Sequence, residues 1–194
     1  MTKNEFIGKI VSELLENEVS LKIVQKKSQN NYGGWFDPHR KELFCAYKGK
    51  YGFEILIHEY NHFRQWYYRR EFWDSCNAND GHFLLWLEGD DSITKAEKEK
   101  GFKDTLKLER DCEINSIKTI QKYDLPVDLE NYFKLANSYL FSHYYARKYR
   151  EWPTKIMNSK NFKDKMPIEI LPLENYIKGI DKSGKRIIFS YEKN

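Results

Sequence analysis

The segment His58-Glu59-Tyr60-Asn61-His62 sets two imidazoles four residues apart, with a carboxylate directly after the first. Positions i and i+4 of a helix share one face a turn apart, so both rings can offer a nitrogen to one metal ion about 2 Å from each. Glu59 is rotated by roughly 100° from His58. It therefore reaches the edge of such a metal rather than joining the two rings as an equal ligand. A base stands there to take a proton from zinc-bound water and return it later to a leaving amine. A shuffled chain of this length with five His would carry the pentad about one time in a hundred. Its neighbours Phe53, Ile55, Leu56, Ile57, Phe63 and Trp66 are apolar. Two His and a Glu in such a helix are costly to bury unless a metal satisfies them, and the expected ion is Zn2+.

Two ring nitrogens do not complete a metal site, and the run Leu108-Glu109-Arg110-Asp111-Cys112-Glu113 offers further donors. On a helical wheel with Leu106 at the origin, Ile117 falls at about 20°, Ile120 at about 320°, Glu113 at about 340° and Glu109 at about 300°. Both glutamates thus share the apolar stripe, whereas Asp111 and Lys118 lie opposite. A carboxylate in such a stripe needs a partner, which a metal or a metal-bound His can supply. A plain surface ion pair between Glu109 and Arg110 is the bland alternative. His82, twenty residues beyond His62, is a rival ligand, and Cys45 a remote one. His39, in a turn, and His143, among Tyr139, Tyr144 and Tyr145, read as surface or packing residues.

The pentad on a helix after a small sheet resembles the active-site helix of the zincin metallopeptidases. That resemblance implies His58 and His62 as zinc ligands, Glu59 as catalytic base and a third ligand downstream. The metzincin extension wants glycine at 65 and histidine at 68, where this chain has Gln65 and Tyr68. The gluzincin pattern instead implies Glu109 as third ligand and Glu113 as the acceptor that holds a ligand His, with the reverse order open. The surroundings of His82 resemble those of SprT-type zinc proteases, which use a third histidine. The chain is also similar to small phage-encoded metallopeptidase-like proteins and, more loosely, to ImmA/IrrE-type proteases.

Such a site needs elements to hold it. Apolar residues at helical spacing (Phe6, Ile7, Ile10, Val11, Leu14) predict an amphipathic first helix. Alternation over 19–24 predicts a strand, followed by a polar turn at 28–31. Two more strands are expected over 32–36 and 43–47, joined by the Asp37-Pro38 turn. The pentad helix is expected over 53–70, a loop over the Asn- and Asp-rich stretch 74–81, and a short helix over 82–87. A long helix from 95 to 123, with Gly101 as a point of interruption, and another after the N-cap Asp128 to about 150 complete the helical half. Short strands are expected over 168–171 and 186–190. The fold class is therefore α+β: a small antiparallel sheet packed on the pentad helix, then a mainly helical half. A single domain over 1–194 is expected, with 158–194 as a peripheral tail.

Composition narrows the setting. With 40% apolar and 32% charged residues the chain is globular rather than disordered. Three cysteines without a CxxC pair suit a reducing compartment. No apolar run spans a bilayer and no signal-peptide core is present, so a cytoplasmic location is the expectation. The net charge of +4 is modest, and the lysine clusters are not interleaved with aromatics, which speaks against nucleic acid without excluding it. The expected function is zinc-dependent hydrolysis of peptide bonds in a polypeptide substrate. The alternatives are a non-catalytic zinc-binding structural or interaction protein, and a SprT-like nucleic-acid-associated protease using His82.

Overall fold

The first helix of the computed structural model, α1 (Lys3–Glu16), starts at a capping box. The Thr2 N–H donates to Glu5 Oε2 at 2.7 Å and the Glu5 N–H to Thr2 Oγ1 at 3.3 Å, a device worth about 1 kcal/mol. Its buried face is Phe6, Ile10 and Leu14, the spacing read from the sequence. The structure describes residues 1–26, 28, 33–157 and 159–187. Within them the chain forms two compact units, Met1–Phe72 with Ile114–Asp128, and Trp73–Glu113 with Leu129–Asn194.

In the first unit, β1 (Ser20–Val24), β2 (Gly34–Asp37) and β3 (Glu42–Ala46) form a sheet in the order β1-β3-β2. β2 and β3 are antiparallel, with Trp35 opposite Phe44 and their rings stacked at 3.9 Å. Asp37 Oδ1 closes the turn by accepting from the His39 and Arg40 N–H groups at 2.9 and 3.0 Å. β1 and β3 are parallel, from Ser20 opposite Glu42 to Val24 opposite Ala46. The sheet is therefore mixed, not antiparallel as expected. β3 takes the centre because Leu43, Phe44, Cys45 and Ala46 are all buried, which suits a strand covered on both faces. The polar turn at 28–31 and the Tyr32 end of β2 fall on or beside positions 29–32, outside the described residues.

α2 (Gly52–Tyr68) packs on β2 and β3. Gly52 is required at its start, since a Cβ there would lie 2.2 Å from the Tyr47 carbonyl oxygen. Phe53, Leu56, Ile57, Tyr60 and Phe63 are buried along the helix. Phe6 meets Phe53 and Tyr60 edge-on at 6.2 and 5.9 Å. Each such fully buried side chain contributes about 1.5–3 kcal/mol.

The second unit is helical: most of α3 (Arg70–Glu88), α4 (Lys95–Lys122) up to Glu113, α5 (Leu129–Tyr149), and the short α6 (Thr154–Met157), α7 (Lys160–Asp164) and α8 (Leu173–Lys178). The loop expected over 74–81 is helix. Trp73, Cys76 and Phe83 are buried at helical spacing, and their burial outweighs the low propensity of the polar residues between them. α4 runs through Gly101 without a break, with Phe102 and Leu106 fully buried just beyond it. It begins at a second capping box, Thr94 with Glu97.

The stretch 168–171 is not a strand, because side chains satisfy its backbone. Asn137 Nδ2 donates to the Pro167 and Glu169 carbonyls at 3.0 and 2.9 Å, and the Leu171 N–H to Tyr176 Oη at 2.8 Å. Of the stretch 186–190, Arg186 bridges Ile180, Ile187 is outside any strand, and 188–190 lie outside the described residues. Nor is the tail peripheral: Phe162, Met166, Leu171 and Tyr176 join Phe83, Phe102 and Phe141 in the core of this unit.

Candidate metal centre

α2 buries several polar side chains. Glu59, Asn61, His62 and Gln65 are 8%, 2%, 7% and 2% exposed. The His58 and His62 rings stand edge-on with centroids 4.6 Å apart, and their Nε2 atoms approach to 3.0 Å. Gln65 Oε1 lies 2.9 Å from His62 Nδ1. A carboxamide oxygen only accepts, so it pairs with the tautomer that carries the proton on Nδ1 and leaves the Nε2 lone pair for the shared point. This is the tautomer a metal requires.

Glu59 lies against the sheet. A Cβ on Gly34 would come within 2.7 Å of Glu59 Cγ and 3.0 Å of its Oε1, so only glycine lets β2 pass this close. Cys45 on β3 feels the same carboxylate. Burial first and the Glu59 charge second push its thiol up to about 12. Its Sγ donates to the Gly52 carbonyl at 3.3 Å. Cys45 is thus a buried, protonated thiol, not a thiolate ready to bind metal.

Asn61, inside the pentad, joins α2 to the last turns of α4. Its Nδ2 donates to the Ile57 carbonyl at 2.8 Å and to Ser116 Oγ at 3.2 Å, while Thr119 Oγ1 donates to its Oδ1 at 3.2 Å. α4 is one uninterrupted helix, so Cys112 stands one turn ahead of Ser116 on the same face. Ligand atoms of His58, His62 and Cys112 lie within 4.8 Å of one another, a cluster that could hold a metal ion. Tetrahedral zinc bonded at about 2.0–2.1 Å to nitrogen and about 2.3 Å to sulfur sets donors about 3.3–3.6 Å apart. The donor set fits with shifts of about an ångström.

Glu109 is half-buried and one turn ahead of Cys112. Glu113 is buried, and its Oε2 accepts from the Tyr132 hydroxyl at 2.8 Å. His82 is half-buried, its Nδ1 buried without a hydrogen-bond partner, and it sits near enough to Glu97 to help lower that carboxyl, behind the larger effect of Thr94. His143 packs against Trp152 at 5.0 Å and places Nδ1 3.1 Å from the Tyr139 carbonyl. His39 is exposed in its turn.

Sequence reasoning missed Cys112, Asn61 and Gln65. The signal for Cys112 was present: it follows Glu109 by three residues and so shares its face, about 60° away on the wheel. No protein-family model matches the chain, and neither a curated protein nor a solved structure matches it. Among the described residues no helix is long and apolar enough to cross a membrane.

Proposed function

We propose that the chain is a zinc-dependent peptidase in which His58 and His62 hold the metal and α4 supplies the third ligand. Cys112 is the preferred third ligand, because its Sγ already converges on the His pair. Glu109, one turn earlier, is the alternative that the gluzincin resemblance implies. Zinc, when bound, supplies a Lewis acid that makes water acidic enough to lose a proton near neutrality. The chain's own residues do the rest. Gln65 Oε1 favours the His62 proton on Nδ1, so Nε2 keeps its lone pair for the metal. Glu59 takes the proton from water and passes it to the leaving amine. β2 is an edge of the sheet beside Glu59, and an extended peptide can add to it as a further strand.

The observation that carries this reading is the juxtaposition of Glu59 with the paired Nε2 atoms at 3.0 Å on one helix. Burying Glu59 and His62 beside a half-buried His58 costs free energy that a core without chemistry has no reason to spend. A structural zinc would instead close its shell with four protein ligands. The test is the zinc-loaded Glu59→Gln protein against a library of internally quenched peptides. It should retain the metal and lose about 10²–10⁴-fold in hydrolysis. Cleavage at the wild-type rate would remove Glu59 from the mechanism.

A further inference from the structure

Beyond His62 the same two helices enclose a cleft of about 200 Å³. Arg64 and Arg69 line it from α2 and the residue after it, and Lys118 and Lys122 from α4. Among the described residues no carboxylate lines it. Among the described residues Lys118 and Lys122 form no ion pair. Arg64 has only Glu13 at 3.9 Å, an acid already engaged by Lys9 at 3.2 Å and by the Tyr60 hydroxyl. The Arg64 Nε is buried with no hydrogen-bond partner. The negative ends of two helix dipoles account for Arg69 and Lys122 at the helix termini. They do not account for Arg64 and Lys118, a turn further in.

Arg64, Lys118 and Lys122 facing one concavity repel one another, and an anion placed among them relieves that repulsion. We propose that this cleft binds the carboxylates of an acidic peptide segment. On the peptidase reading, on which this placement rests, the segment belongs to the substrate. Arg69 lies seven residues beyond His62, about 10 Å along the helix, which is the reach of about three extended residues. The preferred substrate thus carries Glu or Asp about three residues from the bond cut. A nucleic acid fits the cleft less well. Its one aromatic residue, Tyr68, donates its hydroxyl to Glu13 at 3.2 Å and has the Arg64 guanidinium 5.6 Å from its ring centre, and a single ring is no platform for successive bases.

Fluorescence anisotropy of the full chain with labelled hexaglutamate, hexaglutamine and a six-residue oligothymidylate tests the proposal without turnover. Hexaglutamate should bind about tenfold or more tighter than hexaglutamine, and Lys118→Glu with Lys122→Glu should abolish that preference in a chain shown to be folded by circular dichroism. Arg69→Gln serves as a second variant should the reversed pair unfold, and it should weaken hexaglutamate alone. Equal binding of the two peptides, or a preference that survives the charge changes, overturns the proposal, as does tighter binding of the oligothymidylate. Hexaglutamate binding by a chain that cleaves nothing would leave the cleft standing and sink the peptidase reading. Cleavage with no acidic preference would do the reverse.

Discussion

α2 and α5 both bury polar side chains, and they dispose of them in opposite ways. On α5, Asn137, Ser138, Ser142 and His143 are at most 1% exposed, and main-chain carbonyls pair with them. Asn137 Nδ2 alone donates to the carbonyls of Phe133, Pro167 and Glu169, and Ser138 Oγ to that of Met157. On α2 other side chains serve as partners: His62 with Gln65, His58 with His62, Asn61 with Ser116 and Thr119. Main-chain oxygens only accept, so α5 consumes its donors and fastens irregular chain to a helix. Side chains that hold one another can be arranged to leave a lone pair aimed at a common point. The first pattern is architecture, and the second is the arrangement a metal site needs.

Removing Asn137 should do the most damage to stability. Asn137→Ala strands two irregular-chain carbonyls and the Tyr176 hydroxyl, at a cost of roughly 3 kcal/mol or more. Chemical denaturation reads this, and zinc retained per folded chain should not change. Were metal lost from a still-folded Asn137→Ala protein, the division between architecture and site would fail.

Asn61→Ala is the matching change on α2. It frees α4 from α2 near Cys112, so zinc affinity in a chelator competition should fall about 10–100-fold, the usual cost of losing a group that orients a ligand. Asn61→Asp keeps the acceptor for Thr119 and should recover part of that loss. A purely structural Asn61 would lower the melting temperature and leave the chelator curve where it was.

The pentad helix was legible because two signals coincide, ring spacing and an apolar stripe, and the expected span 53–70 differs from Gly52–Tyr68 only at its ends. The direction of β1 was not legible. Period-two alternation says which face of a strand is buried, but not which neighbour it takes. α3 was obscured by Asn77, Asn79, Asp80 and Gly81, whose turn propensity hides buried Trp73, Cys76 and Phe83. In the second half of the chain the wheel was read for carboxylates, and a cysteine weighed only as half of a disulfide passed unnoticed.

The smallest effect separates two cysteines. The thiol of Cys45 is raised to about 12, so deprotonation, which alkylation needs, is suppressed below that pH. At pH 7–8 the folded protein should leave Cys45 unmodified by iodoacetamide, and labelling should appear only on unfolding or as pH climbs toward 12. Mass-spectrometric mapping of the labelled peptides checks this. Rapid labelling of Cys45 at neutral pH would contradict its burial.

Cobalt substitution tests the central claim, that two imidazoles and the Cys112 sulfur share one metal, most directly. Cobalt(II) takes the same tetrahedral donors as zinc and reports a thiolate through a sulfur-to-metal charge-transfer band in the near ultraviolet. The account predicts one equivalent of cobalt with that band, loss of the band in Cys112→Ser, and its persistence in Cys45→Ser. His58→Ala with His62→Ala should abolish the spectrum altogether. A wild-type cobalt spectrum without the sulfur band, unchanged in Cys112→Ser and erased by Glu109→Ala, would contradict the account and assign the third ligand to the glutamate.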